Sequence, residues 1–194
     1  EKKKQKRRKK DLPAEEARYP GEMVQVDIKY VPPSCIGFSS NHAHYYQITA
    51  IDVYSRKRVL ELVNEKSTYA TSEFAKRLEH RMGFLIAKIQ TDNGTEFCND
   101  MNLTDRKSRF EEVLADLGIV HRRTTPYSPW QNAYVERSHR EDERRFFQKR
   151  RFSSEEEMYQ AHKRYESLSN GTYRKHLNFK SPNEMVEEYF VNAA

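Results

Sequence analysis

Residues 23–31, MVQVDIKYV, alternate with a period of two, and no other pattern in the chain narrows the fold as much. Val24, Val26, Ile28 and Tyr30 fall on one face, with Gln25, Asp27 and Lys29 on the other. This is the pattern of a β-strand. Residues 32–42 hold Pro-Pro, Ser and Gly and predict a loop. Residues 44–53 and 57–63, rich in Tyr, Ile and Val, flank Tyr54-Ser55-Arg56 and predict a hairpin. Three strands in succession make an antiparallel meander.

The period then changes. Ala70, Phe74, Leu78 and Met82 recur every four residues, so 67–82 predicts a helix that Gly83 is placed to end. Residues 85–91 predict a short strand closing at Asp92-Asn93-Gly94. A helix over 105–117 carries Phe110, Val113, Leu114 and Leu117 on one side, and Ile119 to Arg122 predict another strand. Ser128, Pro129 and Gln131 have the residue types of a helix N-cap, N1 and N3, opening a helix that runs into the 140s. Ser153 with Glu156, and Ser181 with Glu184, predict caps for two more, the first with Met158, Ala161, His162 and Tyr165 inward. The order β-β-β-α-β-α-β-α-α predicts an α/β fold, a mixed sheet with helices on its faces.

Charge is unevenly placed. Of 35 Lys and Arg and 29 Asp and Glu, residues 1–10 take eight basic residues and one acid, leaving the rest close to neutral. We read residues 1–20 as a basic linker or tail, of a kind that either contacts nucleic acid or stays solvated. The missing first Met suggests a fragment of a longer chain. A second basic cluster runs from Arg137 through Arg140, Arg144 and Arg145 to Arg151, with Arg122 and Arg123 just upstream. Such patches in a neutral body suit phosphate contacts, although an alternating helix is often only a solvated face. Aromatic residues at 12% argue against disorder, no apolar run is long enough for a membrane span, and two cysteines cannot build a disulfide framework.

Asp27 sits mid-strand between buried neighbours and needs a partner, a cation or water. Asp92 ends a strand, where open α/β sheets place their sites. Glu136 lies about two turns into the helix expected from Pro129, with His139 and Arg140 on the same face. Converging carboxylates suit Mg²⁺ or Mn²⁺, and a pair of such ions can clamp an in-line displacement at phosphorus. Spacing alone does not choose these three over Asp52, Glu61 or Glu96. Cys35, His42 and His44 fit no standard zinc spacing. His162 and His176 read as surface or cap residues, and Tyr127 and Trp130 as either base-stacking or packing side chains.

The choice comes from a resemblance. Val26-Asp27-Ile28, Thr91-Asp92-Asn93-Gly94-Thr95-Glu96-Phe97 and Asn132-Ala133-Tyr134-Val135-Glu136-Arg137-Ser138-His139-Arg140 resemble, in this order, the three blocks of the DDE integrase core. Retroviral-type integrases and bacterial insertion-sequence transposases share that core. Ala50 to Arg56 is similar to the family's second strand and turn, and Asn170 to Pro182, with Arg174 and His176, to the segment that follows the core in bacterial transposases. The resemblance implies a ribonuclease-H-like fold with a mixed five-stranded sheet: a catalytic core over 21–150 and a C-terminal helical extension over 151–194. It implies Asp27, Asp92 and Glu136 as catalytic metal ligands holding two Mg²⁺ or Mn²⁺ ions when DNA is bound. Asn93, Glu96 and Asn132 would support the site, and Arg122, Arg123, Arg137, His139, Arg140 and Arg144 would meet DNA. Double-stranded DNA, at element ends and target, would be the partner, the active form a homo-multimer, and the location the cytoplasm at a bacterial nucleoid.

The sequence departs from the family in two places. Asp92 and Glu136 enclose 43 residues, a long gap whose excess we assign to a surface loop over 98–109, and Trp130 stands where a small or polar residue is usual. The upstream helix-turn-helix that reads element ends is not among these residues. Two other readings stand beside the transposase: a ribonuclease-H-superfamily nuclease, and a catalytically silent DNA-binding or assembly module.

Overall fold

The computed structural model describes residues 16–99, 104–125 and 129–193. Strands β1 (Val24–Tyr30), β2 (Tyr46–Asp52), β3 (Arg58–Val63), β4 (Lys88–Thr91) and β5 (Val120–Arg123) form one sheet in the order β3-β2-β1-β4-β5. The first three pair antiparallel as the expected meander, while β4 and β5 run parallel to β1. Parallel neighbours need crossovers, and helices α1 (Thr68–Met82) and α2 (Arg109–Asp116) provide them. Helices α3 (Ala133–Arg145), α4 (Glu155–Gly171) and α5 (Pro182–Ala193) complete the chain.

Caps set the helix limits. Ser67 Oγ accepts from Ala70 N at the start of α1, and Gly83, at a left-handed φ of 80°, ends it. Helix α2 is shorter than its apolar spacing predicts, because Ser108 and Glu111 form a capping box that delays its start. Ser181 and Glu184 bond reciprocally ahead of α5. At α4 the cap is Ser154, whose Oγ accepts from Glu157 N, and not the expected Ser153. Ser153 instead donates its N–H and hydroxyl to the Glu157 carboxylate. Ser128, Tyr127 and residues 100–103 of the expected surface loop lie outside the described residues, as does residues 1–15 of the tail.

The sheet is covered on both faces, and the two coverings differ in chemistry. Val24, Val26, Ile28, Ile48, Ala50 and Val59 pack against Phe74, Leu78 and Met82 of α1 and Phe110 and Leu114 of α2 in a continuous apolar core. The opposite face meets α3 and α4 and is largely polar. Arg58 of β3 and Asp142 of α3, both almost wholly buried, pair at 2.7 Å. Gln47 Nε2 and the Tyr165 hydroxyl donate to the same carboxylate at 2.8 and 2.9 Å. Burial pushes the Asp142 carboxyl up, but the Arg58 charge and these hydrogen bonds outweigh it and hold it below the usual range. Asn170 of α4 brackets the Arg58 backbone, accepting from its N–H and donating to its carbonyl.

His162 lies inward, as the spacing of α4 predicts, and is not a surface or cap residue. It is buried and its Nε2 lies 2.9 Å from Gln47 Oε1. The Gln47 amide nitrogen already donates to Thr49 and Asp142, so the oxygen accepts and His162 donates. Burial pulls its imidazole down to about 3, keeping it neutral. A smaller apolar cluster of Val31, Cys35, Tyr45, Leu62, Phe146, Phe147, Phe152, Met158 and Ala161 lies beside the network and includes residues of α4.

Asp142→Ala should lower unfolding free energy by about 3–5 kcal/mol, because it leaves a buried guanidinium unpaired. Urea denaturation measures this. A loss below about 1 kcal/mol would show that the pair does not hold α3 to the sheet.

Candidate active site

Two short segments of the same form build the floor of the site: Gln25-Val26-Asp27 on β1 and Gln90-Thr91-Asp92 at the end of β4. The strands are parallel neighbours with Gln25 paired to Gln90. Asp27 lies two residues beyond Gln25 on β1 and Asp92 two residues beyond Gln90, just past the end of β4, near enough that their charges interact. The Asp92 carboxylate accepts from Gly94 N at 2.9 Å, which turns the chain sharply away from β4. A Cβ added at Gly94 would stand 2.6 Å from the Glu96 carboxylate, which would have to shift to admit it.

The two glutamines place α3. Gln25 Nε2 and Gln90 Nε2 both donate to the Gln131 carbonyl. Gln25 Oε1 accepts from Tyr134 N and Val135 N at 3.1 and 3.2 Å, satisfying donors of the first turn. With its carbonyl taken by the sheet, Gln131 cannot accept from Val135 as an α-helix requires. Pro129–Asn132 is accordingly a 3₁₀ turn, and α3 starts at Ala133 instead of the expected Pro129. The Gln131 side chain accepts from Thr125 N and serves no helix cap. Glu136 therefore stands in the first turn of α3 and is exposed.

Burial pushes the Asp27 carboxyl up, and the charges of Asp92, Glu96 and Glu136 push it further, to about 7. Asp27 thus senses the other three acids across the floor. Lys66 Nζ pairs with Glu96 at 2.9 Å. His139 Nδ1 lies 3.4 Å from Asp27 Oδ2, while burial pulls that imidazole down to about 4. A neutral imidazole beside a carboxyl that holds its proton to about pH 7 is not an ion pair, despite the short distance. His139 Nε2 is buried with no hydrogen-bond partner among the described residues.

Asp27 and Asp92 offer the hard oxygen donors that Mg²⁺ and Mn²⁺ take, and a cation there would relieve the crowding of like charges. Among the described residues, no three carboxylate, imidazole or thiol groups stand close enough to hold a metal ion as arranged. Glu136 faces solvent and does not close the set.

The other expected site residues scatter. Asn93 donates to the Thr124 carbonyl at 2.9 Å, and Glu96 is buried against Lys66. Asn132 is buried ahead of α3 with its Oδ1 unpaired among the described residues. Arg137, Arg140 and Arg144 are exposed along α3; Arg122 and Arg123 are half-buried on β5. Trp130 is half-buried in the 3₁₀ turn. Cys35, His42 and His44 have separate partners: the Pro32 carbonyl, Asn64 and the Tyr30 hydroxyl. Sequence reasoning missed Gln25, Gln90 and Lys66. The repeated Gln-x-Asp was a legible signal for the glutamines, whereas nothing local marks Lys66.

A family model described as the integrase core domain matches residues 17–129, more than half of the chain. The chain belongs to the integrase core domain family. The matched span holds Asp27 and Asp92 and ends before Glu136. The ORF3 protein of Spiroplasma virus SpV1-C74, named as a candidate integrase, is 30% identical over 125 residues, which is 60% of this chain. The alignment spans 34% of that relative. Among solved structures, a chain of the simian T-cell lymphotropic virus intasome in complex with PP2A regulatory subunit B56 gamma superposes with a TM-score of 0.68. That match covers 89% of this chain and 56% of the viral chain at 16% identity, and so speaks for the fold. The ribonuclease-H-like fold of the family is thus the one found here, a mixed five-stranded sheet with flanking helices. No helix among the described residues is long and apolar enough to cross a membrane.

An acid whose pKa rises on folding costs stability when ionised. Below its unfolded value of 3.8 both states are protonated, and the cost grows as pH rises towards about 7. That rise corresponds to about 4 kcal/mol. Asp27→Asn should therefore melt above the parent at pH 8, and the difference should shrink as pH falls towards 4. A pH-independent difference would contradict the crowding. Gln25→Leu should cost about 1–3 kcal/mol in the same assay, since it strips the first turn of α3 of its acceptor and removes one donor to the Gln131 carbonyl.

Proposed function

We propose that the chain is the catalytic core of a DNA transposase or integrase, which transfers phosphoryl groups on DNA by nicking a strand and joining the freed 3′-hydroxyl to a target. The observation that carries this reading is the pair Asp27, on β1, and Asp92, just past the end of the neighbouring parallel strand β4, near enough that the Asp92 charge pushes the Asp27 carboxyl up, both within the matched family span. Asp27, Asp92 and Glu136 would hold divalent metal, Mg²⁺ or Mn²⁺. When bound, such ions supply charge stabilisation at the phosphoryl oxygens and lower the pKa of the attacking hydroxyl.

The remaining work falls to the chain's own residues. Asp27 has to release its proton to bind a cation, and that proton passes to water, because the His139 imidazole at 3.4 Å, pulled down to about 4, is a weaker base than the Asp27 carboxylate. Gln25 and Gln90 keep the start of α3 over the strand ends, and Glu136 is one turn from that anchor. Arg137, Arg140 and Arg144, exposed on one stripe of α3, are suited to the DNA backbone. Lys66 offsets part of the acidic charge that would otherwise repel DNA. Double-stranded DNA is the partner in this reading, and two ends joined to one target require a multimer.

Asp92→Asn should lower joining of a 3′-hydroxyl oligonucleotide to a target duplex in Mg²⁺ or Mn²⁺ on the order of 10³-fold, as the loss of several kcal/mol of charge stabilisation implies. Affinity for DNA should stay within a few-fold, because Lys and Arg supply most of it. Retained joining by the variant would sink the assignment of Asp92. Cleavage without joining by the parent would favour the nuclease reading. Mn²⁺ should raise the melting temperature of the parent but not of Asp27→Asn, Asp92→Asn or Glu136→Gln.

A further inference from the structure

Across α3 from Asp27, a cleft of about 290 Å³ opens between the β2–β3 turn, α3 and the segment after α4. Arg56, Arg137, Arg174 and His176 line it, each set drawn from a different part of the chain. On α3, Tyr134, Arg137, Ser138 and Glu141 follow helical spacing and face the cleft. Glu136 and His139 lie on the other side of the same helix.

The positive charge here is only partly matched. Arg58 also reaches the lining, but Asp142 neutralises it. Arg56, Arg137, Arg174 and His176 make no ion pair among the described residues. The Arg56 guanidinium lies 3.7 Å over the Tyr134 ring and donates to the Val53 carbonyl. Arg174 donates to the carbonyl and hydroxyl of Ser169 at 3.1 and 3.0 Å. Glu141 is the sole carboxylate in the lining, and it too forms no ion pair among the described residues. Burial pulls Arg56 and Arg174 below the usual guanidinium range; Arg137 and Arg58 respectively add to it, while Tyr134 and Asp52 oppose it at Arg56 and Glu141 at Arg174. His176 is likewise pulled down, by burial and then by Arg174, Arg56 and Arg137. Arg56 also holds a left-handed φ of 64°, a conformation that Gly or Asn would adopt more easily. Gathering like charges in a strained turn opposes folding, so stability does not account for the cluster.

Planar guanidinium forks match phosphate oxygens in pairs, and three of them around a small opening suit one phosphate better than a carboxylate or a halide. The cleft continues into the exposed stripe of Arg137, Arg140 and Arg144, which runs along α3 between it and the acids. We propose that the cleft of Arg56, Arg137, Arg174 and His176 is a phosphate-binding site that seats a backbone phosphate of DNA lying across α3. This rests on DNA being the substrate of the acidic site.

The test uses the full chain, with Arg137→Gln, Arg174→Gln and Arg56→Lys, and Arg164→Gln on the exposed side of α4 as control. Anisotropy of a labelled duplex is read across a series of NaCl concentrations, and melting temperature is read in phosphate against chloride at equal ionic strength. Arg137→Gln and Arg174→Gln should each weaken binding several-fold and lower the salt slope by about 0.9, with the control unchanged. Arg56→Lys keeps the charge and should weaken binding with the slope intact. Phosphate should stabilise the parent and not the Gln variants. Unchanged slopes in both Gln variants, with the parent binding DNA normally, would overturn the cleft and leave the acidic site untouched. If the parent binds no DNA, the DNA reading fails. Phosphate stabilisation lost in the variants would then keep the site with free phosphate as its ligand, and no stabilisation would remove it. Arg137 is exposed, so its variant keeps the test sound if Arg174→Gln fails to fold.

Discussion

The buried pair of Arg58 and Asp142 ties the parts of this molecule together. Two charges removed from water stabilise a structure only when every remaining donor and acceptor is met. Gln47, Ser138, Tyr165 and Asn170 meet most of them, drawing β2, α3 and α4 onto β3. Such a network tolerates little sliding, because a shift of one helix leaves charges unpaired. It therefore fixes where α3 lies on the sheet. An apolar contact of the same area would allow more adjustment.

With α3 fixed, its first turn is aligned by Gln25 and Gln90 from the two strands that carry Asp27 and Asp92. The same parallel register thus sets both acids and positions the third element above them. Its cost is electrostatic, because Asp27 is crowded by like charges and resists ionisation. A bound cation, or a proton kept on Asp27, relieves that cost. Lys66, paired with Glu96, offsets part of the acidic charge without neutralising it.

On the far flank of α3 the sign reverses, with arginines lacking carboxylate partners around one cleft. One helix thus separates an acidic floor from a basic cleft, with an exposed basic stripe along its crest. A polyanion crossing it would find cations ranged along one side of the acids, an arrangement that orients as well as attracts.

Much of this was legible without coordinates. Period-two alternation at 23–31 and four-residue spacing at 67–82 report backbone geometry directly, so the strand, the helix and their order could be read locally. Asp27 and Asp92 stood out because an acid in mid-strand and another at a strand end are locally unusual. Three things were not legible. Gln25 and Lys29 read as the polar face of β1, and that α3 covers this face was not legible, since alternation separates two faces without saying what lies on each. Helix α3 starts four residues later than its Ser-Pro-Trp-Gln signal suggests, because side chains from two distant strands take the carbonyl it needs. His162 and the arginine cleft depend on groups tens to more than a hundred residues apart. Sequence alone determined the elements, their order and two of the acids, because these follow from local stereochemistry. Only tertiary structure decided which polar groups are buried, where α3 begins and which charges lack partners, because those depend on contacts between distant segments.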